Sequence, residues 1–473
     1  MRGDFYPETR ESGLPWLRSI PAHWSVRRAK FLFRGIDFRS ETGTEDLLTV
    51  SSMHGVVPRA SASVTMFRAE SYVGHKLCWP GDLVINSLWA WGGGLGVARQ
   101  HGIVSTAYGV YRLRPQFEQW SGYFHDLLRS RPFQWELQVR SKGIWISRLQ
   151  LTDEAFLDAP LPVPPPQDRD AIVRFLDRAD RQIRCAIRAK QRLIALLNEQ
   201  KRAVIHRAVT RGLDTNVRLK PSGVDWLGDV PEHWDVRTLG QVAESFRTGP
   251  FGSALHQSDY VEGGIPVINP THMRDGRVVE DPSRTVTPDT ASRVSEYQVQ
   301  KGDLVFARRG ELGRCALVRE REEGWLCGTG SIRVRPRYTG IDPEYLIQAL
   351  QLQSVGEYLS LSSVGATMAN LNTGILSGLP LVLPPYPEQK HLLAQVKNST
   401  ESIERAVAAG AAEIDLLREY RTRLIADVVT GHLDVRDAAA QLPDEVDEPQ
   451  QLDEIDVEEF EVSPDEELEA VET

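Results

Sequence analysis

The chain has 473 residues, 41% hydrophobic and 25% charged, enough for two to four domains that each bury a core. It has no run of 18 apolar residues and no apolar stretch after Met1-Arg2-Gly3-Asp4. Neither a membrane span nor a secretory leader is therefore expected, and the protein reads as soluble and cytoplasmic. Its four cysteines (Cys78, Cys185, Cys315, Cys327) contain no pair at zinc-ligand spacing, so a disulfide framework and a metal site are not expected and buried thiols are.

The net charge of −10 argues against a polyanionic partner only until it is located. Residues 443–473 hold fifteen Asp and Glu and no Lys or Arg, and without them the chain carries +5. Such a tail, poor in aromatics, is expected to be disordered. The rest is mildly basic, with arginine far in excess of lysine.

In chain order, residues 1–11 read as an extension and the first domain opens at Ser12. Ser12-Gly13-Leu14-Pro15-Trp16-Leu17 leads to Ile20-Pro21-Ala22-His23-Trp24-Ser25-Val26-Arg27. The same order returns in Ser222-Gly223-Val224-Asp225-Trp226-Leu227 and Val230-Pro231-Glu232-His233-Trp234-Asp235-Val236-Arg237. A period this long far exceeds a solenoid repeat, so each copy reads as a complete domain.

Further echoes follow. Gly81-Asp82-Leu83-Val84 matches Gly302-Asp303-Leu304-Val305. Gly94-Leu95-Gly96-Val97-Ala98 is set against Glu311-Leu312-Gly313-Arg314-Cys315-Ala316. Tyr111-Arg112-Leu113-Arg114-Pro115 is set against Ile332-Arg333-Val334-Arg335-Pro336. Spacing drifts across this stretch, as expected of a scaffold with variable loops.

From Pro164 to Asp214 and from Pro384 to Asp434 the two copies keep a constant offset of 220 residues. After the proline-rich Pro160–Pro166 there is no proline or glycine until Gly212, so a helix is predicted from Gln167 or Asp168. Ile172, Leu176, Ala179, Ile183, Ile187, Ile194, Leu197, Val204 and Ala208 form a heptad-like seam. Leu392, Val396, Ser399, Ile403, Val407, Ile414, Leu417, Leu424 and Val428 do so in the second copy, with Lys190 and Gly410 in the matching middle layers. A rod of roughly 65 Å would overhang one domain, so the two helices are expected to pair with each other. The arginine run Arg174, Arg178, Arg181, Arg184, Arg188, Lys190 and Arg192 reads first as a solvated helix face and second as a phosphate-tracking one. The resulting division is 12–166, helix 167–214, linker 215–225, 226–386, helix 387–434 and acidic tail 435–473.

Catalytic motifs do not survive inspection. Leu383-Pro384-Pro385-Tyr386 resembles the Asn/Asp-Pro-Pro-aromatic motif of amino-group DNA methyltransferases. That chemistry needs an amide or carboxylate to hold the target amine, and Leu383 cannot supply it. Gly92-Gly93-Gly94-Leu95-Gly96 lacks the helix and downstream acid of a dinucleotide loop. His23 and His233, each before a tryptophan, read as parts of a packed corner. A self-sufficient adenine methyltransferase and a purely structural coiled-coil adaptor are the readings of other classes; the missing cofactor loop speaks against the first, and specific binding to a bipartite duplex would exclude the second.

The Trp-Leu-x-x-Ile/Val-Pro-x-His-Trp segments, the proline-rich turn into a long helix with Glu388-Gln389 in its first turn, and the tandem duplication together resemble specificity (S) subunits of Type I restriction–modification enzymes. The resemblance covers roughly residues 12–434, and Asp168-Arg169 departs from the acid-Gln pattern in the first copy. It implies an α+β chain with two tandem α/β target-recognition domains, each followed by a long helix. The helices would pair as an antiparallel coiled coil.

It also implies no catalysis and no metal in this chain. Double-stranded DNA would be read as a bipartite, asymmetric target. Two adenine-N6 methyltransferase (M) subunits and two motor-nuclease restriction (R) subunits would be the partners, carrying S-adenosylmethionine, ATP and Mg²⁺. A specificity subunit serving a fused methyltransferase–nuclease of another restriction class is the alternative. Side chains able to make bidentate base contacts near the recurrent glycines are the candidate readers. They are Asn86, Arg99, Lys142, Trp145 and Arg148 in the first copy and Arg308, Arg309, Arg314, Thr367, Asn370 and Asn372 in the second. The loop at 365–371 is set against 143–149.

Overall fold

The structure, a computed structural model, describes residues 5–52, 54–61, 71–143, 149–214, 216–251, 254–337, 340–363 and 371–443. Its contacts divide the chain into two compact units, residues 1–189 with 412–473, and residues 190–411. Both boundaries fall inside long helices, where the expected division had set the helices apart from the domains.

In the first unit a hairpin of Thr9–Leu14 and Leu17–Pro21 precedes Ser25–Arg28, which pairs antiparallel with Pro160–Val163. The first strand begins before Ser12, so part of the expected extension is a strand. The main sheet is antiparallel, in the order Phe33–Gly35, Tyr108–Leu113, Leu83–Asn86, Leu95–Val97. Helices Ser121–Arg129 and Arg131–Arg140 follow it. One apolar cluster joins Phe33, Leu83, Tyr123 and Phe124 to Ile172 and Leu176 of the first long helix and to Val428 and Val429 of the second.

The second unit repeats this plan. Leu219–Pro221 pairs with Asp229–Pro231, so the expected linker contains a strand, and Asp235–Thr238 pairs with Pro380–Leu383. Its main sheet runs Ala243–Thr248, Ser331–Pro336, Leu304–Ala307, Cys315–Leu317. Helices Pro343–Leu350 and Gln353–Ser362 follow. A second four-stranded sheet, in the order Tyr260–Val261, Thr285–Val286, Ile265–Ile268, Leu326–Cys327, stands where the first unit has two pairs, Leu48–Ser51 with Gly55–Pro58 and Lys76–Cys78 with Gly102–Val104.

The recurring Gly-Asp-Leu-Val has a physical reason. Gly81 and Gly302 both sit at φ +92°, a region that favours glycine, at the turn into the central strand. The following aspartate is buried. Asp82 accepts the Trp79 N–H at 2.9 Å and a two-point pair from Arg112 at 2.7 and 2.8 Å. Asp303 does the same with the Gln300 N–H at 2.9 Å and with Arg335 at 2.8 and 2.7 Å. Arg112 thus corresponds to Arg335, two residues from the match read in the sequence. Strand registers agree, since Tyr111 faces Leu83 where Val334 faces Leu304. An Arg-x-Arg pattern in a strand is ambiguous by two because side chains i and i+2 share a face.

The Pro-x-His-Trp corners are fastened to the long helices. Trp24 Nε1 donates to Asp168 Oδ2 at 2.9 Å, and His23 Nε2 lies 2.7 Å from the same oxygen. Trp234 Nε1 donates to Glu388 Oε1 at 3.0 Å, with His233 Nε2 2.9 Å from Oε2. Asp168 therefore serves where Glu388 does. Its neighbour departs: Gln389 holds the Asp342 N–H and the Gly340 and Pro384 carbonyls, whereas the Arg169 guanidinium lies 5.1 Å above Trp120.

The long helices span Pro166–Arg211 and Tyr386–Val429. The first starts a residue or two before the predicted position because proline is tolerated in the first turn. In the first unit they are joined by a hydrogen-bonded ion pair of Arg421 with Asp180, and in the second by Lys201 with Glu404 at 2.7 Å. Gly410 lies beside Ile194, whose Cδ1 would stand 3.3 Å from an added Cβ. One layer differs from the predicted seam: Ser399 is exposed and Thr400 is buried. The expected tail also starts later, because Arg436–Ala440 is helical and buries Val435 and Ala439. Cys78, Cys315 and Cys327 are buried as expected, but Cys185 is exposed, since it lies opposite the helix seam.

Candidate nucleic-acid interface

In each unit a backbone hydrogen bond fastens a later segment to the far end of the central strand. In the first, Lys142 and Gln150 exchange backbone hydrogen bonds at 2.9 Å, and the Leu151 N–H then donates to Ser87 O at 2.8 Å. In the second, the Leu371 N–H donates to Arg308 O at 2.9 Å. Ser87 and Arg308 are therefore equivalent. Leu151 matches Leu371, not Leu149 as the sequence comparison had it. Thr152 and Asn372 agree, each capping the next short helix, by Thr152 Oγ1 from the Ala155 N–H at 3.2 Å and by Asn372 Oδ1 from the Ile375 N–H at 2.9 Å. The strand after Gly94 shifts as well, because Asn86 N–H donates to Gly94 O where Ala307 N–H donates to Arg314 O. Trp145, Arg148, Thr367 and Asn370 lie outside the described residues.

The other sequence candidates divide by exposure. Asn86 is buried; its Oδ1 accepts the Leu88 N–H at 3.1 Å and its Nδ2 lies 3.5 Å from Tyr108 Oη, so its amide shapes its own turn. Asn372 spends its side chain on the helix cap. Arg99, Lys142 and Arg309 are exposed. Arg314 is half-buried, with Nε 3.1 Å from Glu311 Oε2 and Nη1 3.4 Å from Pro270 O. A cleft of about 460 Å³ beside the Leu151–Ser87 hydrogen bond is lined by Lys76, Ser87, Tyr108, Gln150 and Asp153.

Arg308 is the most distinctive of these side chains. Its guanidinium carbon lies 4.7 Å above the ring of Phe251, and its Nε is buried with no hydrogen-bond partner among the described residues. Burial first, and then the neighbouring Arg309, hold its pKa below the usual guanidinium value. Sequence reading missed Phe251. The available signal was an aromatic after Gly249-Pro250, at a turn where Gly249 must be glycine because an added Cβ would lie 1.9 Å from Gly328 O. A planar cation on a half-exposed ring, beside a second arginine, is suited to a base edge or a phosphate.

Arg99 belongs to a different setting. Its charge reaches His125, which is pushed down to about 3 by burial first and then by Arg129, Arg99 and Arg421. The adjacent Asp126 is pushed up to about 7 by burial, then by Asp180 and Asp177. These groups lie where the first unit's helices meet, at a junction that is half-buried for His125, Asp126, Arg129, Asp180 and Arg421. Among the described residues no group of three or more His, Cys, Asp or Glu could hold a metal ion, and no helix is long and apolar enough to cross a membrane.

Residues 231–407 match the family model of the Type I restriction modification DNA specificity domain. The chain is 20% identical over 304 residues to the Type I restriction enzyme MjaVIII specificity subunit of Methanocaldococcus jannaschii, covering 63% of this chain and 68% of that one. It is 24% identical over 276 residues to the Type I restriction enzyme EcoBI specificity subunit of Escherichia coli, covering 57% of this chain and 58% of that one. In fold it is similar to a chain from a structure on complex assembly and conformational transition of the type I R-M system. The TM-score is 0.61 at 18% identity, over 88% of this chain and 99% of that one.

Proposed function

From a chain that carries the DNA specificity domain of Type I restriction–modification systems, we propose that the protein is the non-catalytic specificity subunit of such a complex. It reads a bipartite, asymmetric duplex, one half with each unit. The observation that carries this reading is the repetition of one scaffold with different side chains at its loop end. The same strand order and the same buried Asp–Arg pair lead to Ser87 in one unit and to the stacked Arg308 in the other. A duplicated frame with unlike tips suits a target whose halves differ.

The two long helices act as an antiparallel coiled-coil spacer and offer two similar docking places to two methyltransferase subunits. Restriction subunits join for cleavage. S-adenosylmethionine, ATP and Mg²⁺ belong to those partners, and this chain supplies recognition. At 46 and 44 residues the helices are ~65–70 Å long, and they set the gap between the half-sites.

Exchanging residues 26–160 for the same region of a relative, in the complex with its methyltransferase, tests the division of labour. A map of methylated adenines is expected to change in one half of the target and to keep the other half and the spacing. A map in which both halves change together removes the two-reader reading.

A further inference from the structure

We propose that the arginine face of the first long helix, within the first unit, is a docking surface for the chain's own acidic segment, residues 444–473. The half-helix buries Ile172, Leu176, Ala179 and Ile183. At 3.6 residues per turn, Arg174, Arg178, Arg181, Cys185 and Arg188 fall on the opposite face. Arg174, Arg181, Cys185 and Arg188 are exposed there and Arg178 is half-buried. Of the acids nearby, Asp170 is paired with Arg169, and Asp180 with Arg184 and Arg421. Asp177 reduces the charge on one flank, and the face remains cationic.

The described chain ends on this face. After the helix Arg436–Ala440, Arg174 Nη2 donates to the carbonyls of Leu442 at 2.6 Å and Pro443 at 3.1 Å. The thirty residues that follow contain fifteen Asp and Glu and no Lys or Arg. From Arg174 to Arg188 the stripe is ~21 Å long, whereas thirty residues can span up to ~100 Å, so reach is no obstacle. A tethered segment also meets its site at an effective concentration on the order of millimolar. Opposite charge, a shared starting point and sufficient length commit the face to this occupant. A segment held there occupies a surface that phosphates would otherwise use, and so limits sequence-independent binding of nucleic acid. That consequence rests on the DNA reading above; the docking itself does not.

Cys185 stands in the middle of the stripe, and Cys78, Cys315 and Cys327 are buried, so one site can be labelled in the natural chain. A benzophenone maleimide on Cys185 of the full chain is irradiated at low and at high salt, without nucleic acid, and the crosslinked peptides are mapped. Crosslinks to residues 444–473 are expected, falling about tenfold at high salt. They are expected to fall equally in R181E/R188E and in a chain whose tail acids are replaced by Asn and Gln, a change that leaves the folded residues untouched. Crosslinking to the tail that is indifferent to salt and to tail charge overturns the proposal. So does a label that finds only other surfaces or a second molecule. Separately, the chain ending at Pro443 is expected to bind a duplex of unrelated sequence about tenfold more tightly at low salt and equally at high salt. Tail crosslinks without that gain sink the nucleic-acid consequence and leave the docking standing.

Discussion

The two units share a frame and differ at its tip. Asp82 with Arg112 and Asp303 with Arg335 are superposable in role and in distance. One strand-length away, Asn86 folds its amide into its own turn, whereas Arg308 in the next position of the other unit stacks on Phe251. The frame residues are buried charges, for which few alternatives satisfy every donor. At the tip Asn86 is buried in its own turn while Arg308 is half-buried and reaches the surface, where the fold constrains a side chain less. The strands inserted beside the shared order also differ, forming a four-stranded sheet in the second unit and the two pairs Leu48–Ser51 with Gly55–Pro58 and Lys76–Cys78 with Gly102–Val104 in the first. Recognition can therefore diverge while the frame stays fixed.

The largest test of that comparison is at the buried aspartates. Asp82→Ala and Asp303→Ala each remove a turn cap and strand an arginine, and each is expected to destabilise its unit by about 3 kcal/mol in denaturant titration. A silent substitution in either unit breaks the equivalence. The acids that fasten the tryptophan corners should be unequal. Asp168→Ala is expected to cost about 2 kcal/mol and Glu388→Ala about 1 kcal/mol, because the Asp168 side chain is 5% exposed and that of Glu388 30%. Equal costs would show that burial does not set the strength of these corners.

Arg308→Ala is expected to weaken binding of the cognate duplex by about 1–2 kcal/mol and to relax one base position in the half read by the second unit. A loss of similar size for every duplex, with a shallower salt dependence, assigns Arg308 to a phosphate.

The smallest effect concerns the half-buried junction of the first unit's helices. With the Asp126 carboxyl raised from 3.8 to about 7, the folded chain holds a proton there between those values that the unfolded chain does not. The stability tied to that proton is present below about pH 4 and is lost as the pH rises through 7. Asp126→Asn should match the parent at low pH and exceed it by about 1 kcal/mol at pH 8.5, read as the difference between their denaturant midpoints. Taking the difference removes the opposing contribution of His125. A constant difference across pH would mean that the Asp126 carboxyl titrates alike in the folded and unfolded chain.

Much of this was legible before any coordinates. The duplication, the two helices and most of their seam follow from local rules, since proline and glycine punctuate helices and apolar periodicity marks the buried face. Where periodicity is ambiguous the reading slipped, and always by small steps. Because a strand repeats every two residues, local pattern sets Arg112 against Arg333 where the fold sets it against Arg335, and it sets Leu149 against Leu371 where the fold sets Leu151. Thr400, not Ser399, fills its layer, because two small polar neighbours offer a seam no apolar side chain to choose by.

The sequence by itself determined that two similar domains and two long helices exist, and that an acidic segment follows them, because each is written in neighbouring residues. Only the tertiary structure decided that Asp168 stands in for Glu388, that Asn86 and Asn372 serve turns and caps, and that Arg308 rests on Phe251. The roles of Asp168, Glu388 and Arg308 depend on partners more than fifty residues away, and no local pattern carries that distance; Asn86 and Asn372 act on Leu88 and Ile375, but only the fold shows that their amides are spent there.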